Sequence, residues 1–223
     1  MNNNRNQSRK RTAALAFTAA ALLFTLLIKL IDVKPIGPNG SEVGFAAVNQ
    51  AAAETIGVSL FWYEISQTLG YLAILLAVLM AAAGVMQLIR RRSLAKVDPE
   101  IIALGALYTV TLILYLLFDK VALNYRPILE NGVLEPSYPS SHTLLSLVVF
   151  GSAFLLIRRY FYPGRVQKVL TGCDLVFLIL TVLARLLSGY HWLTDIVGGM
   201  LISAALLGWF SVLKDTLKRV KKR

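Results

Sequence analysis

Histidine occurs twice in this chain, at positions 142 and 191, and each lies in a setting that could move a phosphoryl group. His191 is followed four residues later by Asp195. At the start of a helix these side chains share a face, so the carboxylate can accept the Nδ1 hydrogen, fix the tautomer and leave Nε2 as a nucleophile or base. That is the orienting logic of the catalytic triads, with an imidazole nitrogen as the attacking atom. The plain alternative is an interfacial His–Asp pair that only packs. His142 closes the run Pro139-Ser140-Ser141-His142, ahead of an apolar stretch. Ser140 is a natural N-cap, and the free N–H groups and dipole of the first turn can receive an anion. His142, one or two residues into that turn, could give a proton to a leaving oxygen. An ordinary serine cap followed by an exposed histidine is the alternative.

Three cations accompany the histidines: Lys120, Arg126 and Arg185. Arginine grips phosphate oxygens bidentately, whereas lysine supplies a point charge. An arginine inside the outer end of a membrane helix costs about a few kcal/mol unless it finds a partner or water, which marks Arg185 as a functional candidate. No cluster of carboxylates or cysteines suggests a metal site, so neither metal nor cofactor is expected.

These residues must be positioned by membrane helices. With 57% hydrophobic and 16% charged residues, the 223-residue chain carries too much apolar surface for one soluble domain. Six apolar blocks run from Thr12 to Ile31, Ile65 to Leu88, Ile101 to Phe118, Thr143 to Ile157 (starting at Ser140 or Ser141), Val169 to Leu187 and Leu193 to Leu213. None alternates strictly, which predicts an all-α bundle of six transmembrane helices rather than a barrel. We read residues 1–223 as one such domain, with basic tails at 1–11 and 214–223.

Charge sets the expected orientation. Eighteen of the 23 basic residues cluster in the N-terminal tail, around Arg90 to Lys96, around Arg158 to Lys168, and from Lys214 to Arg223. With six spans these clusters share one side, and the positive-inside rule makes it the cytoplasm, with both termini there. Lys120, Arg126, Arg185 and both histidines then fall at the extracytoplasmic face. The net charge of +11 is divided among short loops without interleaved aromatic residues, so membrane lipid rather than nucleic acid is the expected partner.

Other features have plainer readings. The first block is long and lacks a small-residue cleavage site, so it is expected to remain as a helix. The stripe Phe45, Val48, Ala52 and Ile56 predicts a helix lying on the bilayer, and Phe61-Trp62-Tyr63 an aromatic belt. Gly189, in a very short connection, can take the left-handed conformation that ends one helix and admits the next. Asp174 is expected to pair with a nearby basic residue, and the lone Cys173 to pack.

Lys120-x5-Arg126-Pro127, Pro139-Ser140-Ser141-His142 and Arg185-x5-His191-x3-Asp195 resemble the three signature blocks of the type 2 phosphatidic acid phosphatase superfamily. The resemblance extends from the first span to the sixth. It implies that His191 attacks phosphorus to form a phosphohistidine, oriented by Asp195, and that His142 is the general acid. It further implies that Lys120, Arg126, Ser140, Ser141 and Arg185 hold the phosphate. The chain departs from the family pattern at three places: five residues rather than six between Lys120 and Arg126, Ser141 in place of Gly, and Ala184 in place of Ser. The expected activity is metal-independent hydrolysis of a lipid phosphate or diphosphate. Isoprenoid diphosphate, phosphatidylglycerol phosphate and phosphatidic acid are the candidate substrates. The alternative is a non-catalytic anionic-lipid-binding protein or transporter, which should carry polar residues or broken helices at midspan.

Overall fold

The computed structural model describes residues 2–130 and 132–221, so Lys222 and Arg223 of the C-terminal basic tail lie outside the described residues. Seven α-helices and no strand are formed among the described residues: α1 (Asn2–Ile28), α2 (Ala46–Ile56), α3 (Leu60–Arg91), α4 (Pro99–Lys120), α5 (Ser141–Tyr160), α6 (Arg165–Ser188) and α7 (Leu193–Lys221). All but α2 are long and apolar enough to cross a membrane. The fold is the expected all-α, six-span bundle.

Most spans extend past the apolar blocks, because helical hydrogen bonding does not stop where lipid contact does. Thus α3 begins at Leu60, and Phe61, Trp62 and Tyr63 lie in its first turn. Tyr63 turns inward, stacking on Tyr190 with ring centroids 4.0 Å apart. A helix forms in this connection as α2, but the residues it buries are Ala46 and Asn49, while Val48 is exposed. Asn49 clamps the start of α7 in both directions. Its Nδ2 donates to Thr194 Oγ1 at 2.9 Å, and its Oδ1 accepts from Thr194 N at 3.2 Å. Asp32 anchors the other end of this connection by accepting from Ala47 N at 2.7 Å. That bond, then Lys34, holds its carboxyl below the usual range.

Helices α5 and α7 form the centre. About half of the apolar window of each is buried (56% and 44%), against 6% for α3. Leu144, Val148 and Leu156 of α5 meet Ile202 and Phe210 of α7, with Ala103, Leu104 and Leu107 of α4 and Ala21 of α1 completing the cluster. A core of this kind needs α1 laid along α7 and α4 against both central helices, which is how the helices pack. The consequence for the site is that α5 and α7 run parallel, with both N-termini at the same end of the bundle.

The basic clusters gather at the opposite end, where several are paired. Glu100, buried at the start of α4, receives Lys218 Nζ at 2.6 Å and Arg159 Nε at 3.0 Å. Lys10 bridges Asp215 at 2.7 Å, and Arg91 bridges Asp98 at 2.7 Å. Asp174 does not pair as expected. Its carboxylate lines an apolar cavity with Leu76, Met80, Phe150 and Phe177, and Oδ2 has no hydrogen-bond partner. The physical reason is the side of α6 it occupies, which faces the apolar residues of α3 and α5, while Lys168, the preceding basic residue on α6, lies six residues away along the helix.

Candidate active site

Each histidine is placed by helix-end chemistry. Ser140 caps α5: its Oγ accepts from Thr143 N at 3.4 Å and from Thr143 Oγ1 at 3.0 Å. Its backbone N–H donates to Asp195 O at 3.0 Å, tying the start of α5 to the start of α7. The preceding residue, Pro139, follows a cis peptide bond. Gly189 ends α6 at φ 71°, and a side chain there would run into the Gly57 carbonyl. That turn drops His191 just ahead of α7.

Asp195 reaches back to the backbone N–H of Trp192, the residue just ahead of its own helix. Its Oδ2 accepts from Trp192 N at 3.0 Å and lies 3.5 Å from His191 Nδ1. An acid three residues into a helix, bonded to the N-terminal N–H, is the acidic half of a capping box. The other oxygen, Oδ1, accepts from Asn124 Nδ2 at 3.3 Å, and Asn124 Oδ1 in turn accepts from Gly44 N at 3.3 Å. Asp195 is fully buried and Asn124 nearly so.

Arg185 is also fully buried. Its Nη1 donates to Ser66 Oγ at 3.1 Å and its Nη2 lies 2.8 Å from His191 Nε2. The guanidinium also sits over the Tyr63 ring, 5.8 Å from the centroid. Because guanidinium only donates, Nε2 must be the accepting, unprotonated nitrogen, which leaves the hydrogen on Nδ1, near Asp195 Oδ2 but not hydrogen-bonded to it. Burial first, then Arg185, Arg126 and His142, holds the His191 imidazole well below the usual histidine range. It is therefore neutral, with its basic nitrogen turned toward a cation. Among the described residues no carboxylate lies within ion-pair distance of Arg185.

Arg126 lies on the connection between α4 and α5. That segment folds back on itself through Arg126 N to Glu135 O at 3.0 Å and Ser137 N to Asn124 O at 2.9 Å. Arg126 is paired with Glu130, and its Nη2 with Glu135 Oε2 at 3.1 Å. Tyr138 pins the segment to the bundle, with its hydroxyl 2.7 Å from Thr25 Oγ1 and its ring against Gly198. Burial pushes its phenol up to about 12.

Two cavities adjoin here. One, of about 330 Å³, is lined by Arg126, Glu135, Ser137, Ser141 and His191 among others. The other, of about 420 Å³ and almost wholly apolar, runs between α3, α4 and α5 past Gly70, Ile74, Tyr108, Leu112 and Val149, with His142 at its wall. Ser141, Tyr115 and Leu144 border both. His142 packs against Gly70, where an added Cβ would meet the imidazole Cδ2 at 2.8 Å, and its Nδ1 has no partner.

Thus Arg126, Ser141, Arg185, His191 and Asp195 are brought together at one end, with His142 on the adjoining wall. Two expected residues stand differently. Lys120 is exposed at the last position of α4, whereas Asp119, one residue earlier and about 100° around the helix, faces the polar cavity. The Ser140 hydroxyl oxygen accepts the cap bonds from Thr143, and Ser140 does not line that cavity. Ser66, Asn124, Glu130 and Glu135 carry no expectation from sequence, and Tyr63 carries one only as part of an aromatic belt. Only Asn124, two residues before Arg126, carried a local hint.

The fold and the site together define a polytopic helical membrane protein with a buried histidine–arginine centre at one end of the bundle. Residues 72–219, which include both histidines and all three cations, match the family model of the PAP2 superfamily. No curated protein matches the chain. Among solved structures, that of the first transmembrane PAP2-type phosphatidylglycerolphosphate phosphatase from Bacillus subtilis superposes with a TM-score of 0.63. The match covers 93% of this chain and 97% of that one at 16% identity, a likeness of fold. The chain belongs to the PAP2 superfamily and is a membrane-embedded member of that phosphatase family.

Proposed function

We propose that the protein is a lipid phosphatase that removes the phosphate or diphosphate group of a membrane lipid through a phosphohistidine on His191. The observation that carries this is Arg185: a fully buried guanidinium with no carboxylate partner among the described residues, hydrogen-bonded to His191 Nε2. A buried cation without a counter-charge is costly, and a phosphate oxyanion arriving between Arg185 and Nε2 would neutralise it at the point of attack. The N–H groups at the start of α5 and Arg126 complete the anion site.

In the reaction, Nε2 attacks phosphorus as the bond to the leaving oxygen breaks, and that oxygen takes a proton from His142. Asp195, whose Oδ2 lies 3.5 Å from Nδ1, balances the charge on the phosphorylated imidazole. Water then attacks the phosphorus, giving its proton to His142, and phosphate leaves with His191 restored. No step is assigned to a metal or cofactor. The apolar cavity that begins beside His142 supports a lipid substrate, since it would take the chain while the phosphate occupies the polar cavity. Isoprenoid diphosphate, phosphatidylglycerol phosphate and phosphatidic acid all have that shape.

Orientation follows from the charge at the opposite end: those cations belong in the cytoplasm, and the site faces outward.

Phosphate release from these three lipids by purified protein tests the activity. Wild type should turn over at least one without added divalent metal, and His191→Ala should fall by at least about 10³-fold. Undiminished release by that variant would overturn the assignment. A cysteine at exposed Val133, in a Cys173→Ala background, should react with an impermeant reagent outside intact cells. Labelling only after lysis would reverse the topology.

A further inference from the structure

The most unusual pairing near the site is that both terminal nitrogens of Arg126 are already held by acid. Glu130 takes one terminal nitrogen and Glu135 the other, while Nε is buried and unpartnered. Neither acid is there by accident of a loose side chain. The backbone closes a tight turn, with Glu130 and Val133 exchanging N–H···O bonds of 3.2 and 3.0 Å, which returns Glu135 alongside Arg126. Tyr63 of α3, stacked on Tyr190, donates its hydroxyl to Glu130 Oε1 at 2.8 Å and holds that carboxylate in place. Arg126 and Glu135 line the same polar cavity as His191 and Ser141.

On the phosphatase reading above, a phosphate in that cavity needs the guanidinium edge that the carboxylates occupy. An arginine can offer a bidentate face to only one such partner at a time, and a phosphate left beside two carboxylates would be repelled by both. Two carboxylates carry about the same charge as one phosphate monoester dianion, so the exchange leaves the guanidinium neutralised throughout. We infer that Glu130 and Glu135 are a built-in counter-anion for Arg126, which the substrate phosphate displaces, so that this turn and its Tyr63 latch set how tightly substrate and product phosphate are held. The apparent affinity is lowered by whatever fraction of the protein has Arg126 engaged by its own acids.

The opposite role makes the opposite prediction. If the acids merely hold Arg126 in position for phosphate, removing one should weaken binding. If they compete, removing one should strengthen it. The test uses the full-length protein in neutral-lipid vesicles, with Glu130→Gln, Glu135→Gln, the double variant and Tyr63→Phe. Two quantities are read: KM for a lipid phosphate, and the half-saturating concentration of inorganic phosphate that protects the protein against heat. Glu130→Gln should lower both by about three- to tenfold, the double variant further, and Tyr63→Phe, which only loosens the latch, by less. Values unchanged or raised in the glutamine variants would overturn the inference. Should a glutamine variant fail to fold, Tyr63→Phe decides alone, since it leaves all three charges in place. Heat protection by phosphate needs no turnover. A wild-type protein that binds phosphate but releases none would therefore sink the phosphatase reading while leaving this one to be judged on affinity.

Discussion

The two ends of the bundle treat positive charge in opposite ways. At the basic end the cations are at least partly in water, and the group taken out of solvent is an acid: Glu100 is buried, while its partners Arg159 and Lys218 remain accessible. At the other end the cation itself is buried. Arg185 has a hydroxyl, an imidazole and an aromatic ring around it, but no carboxylate among the described residues. A paired charge of the first kind joins helices; an unpaired, desolvated charge of the second kind has an unmet requirement that a ligand can fill. The contrast is visible within the site end too, since Arg126 meets two acids and Arg185 none.

The strongest way to break this comparison is to remove Arg185. Arg185→Met should lower turnover of a lipid phosphate by about 10³-fold or more, as expected for loss of a group stabilising transition-state charge. The same variant should melt no lower than wild type in the absence of phosphate, because a buried charge without a counter-ion is replaced by an apolar side chain. A clear loss of thermal stability with activity retained would mean that Arg185 is a structural strut like those at the basic end.

The next test sharpens how the site keeps its histidine ready. Asn124 fixes Asp195, which faces the Nδ1 hydrogen of His191, so Asn124→Ala should lower kcat by about 10- to 100-fold, the usual size of losses in groups that orient a reacting ligand. The pH profile separates this from general damage. His191 is held well below the usual histidine range, largely by burial and then by Arg185 and Arg126. A nucleophile must be unprotonated, and with a lowered pKa it stays so as pH falls through the ordinary imidazole range. Wild-type kcat/KM should therefore keep its value below about pH 6.5 and fall only at more acid pH. Arg126→Gln removes one of the cations responsible, so its acid limb should move upward, toward neutrality. An acid limb that stays put in Arg126→Gln would detach that charge from His191.

What could be read from sequence divides along the same physical line. His191 and Asp195, the Ser140 cap and the Gly189 turn were legible because each depends on neighbours within about one helical turn, where spacing alone dictates which groups meet. The six spans and the gathering of basic residues at one end were legible because lipid imposes length and composition. Ser66, Asn124 and Tyr63 were not, since their partners lie 119, 71 and 67 residues away and depend on how the helices are rotated against one another. Lys120 illustrates the same limit. One residue of spacing is about 100° of helix, enough to turn Asp119 rather than Lys120 toward the cavity. For Asp174 the sequence showed nearby positive charge but not the side of α6 on which the carboxylate would be buried.

The smallest expected effect lies at the basic end. Glu100→Gln leaves Arg159 and Lys218 without their shared acid, but both can return to water, so no unpaired buried charge is created. The cost should be about 1 kcal/mol, the net value of a hydrogen-bonded contact, visible as a melting temperature lower by a few degrees. Phosphate release per folded molecule should be unchanged, because the whole length of α5 and α7 separates Glu100 from His191. Glu100→Gln and Arg185→Met then form a crossed pair: one loses stability and keeps activity, the other keeps stability and loses activity. If Glu100→Gln instead lowers kcat, the two ends are coupled through the parallel helices α5 and α7, and the division of labour between them fails.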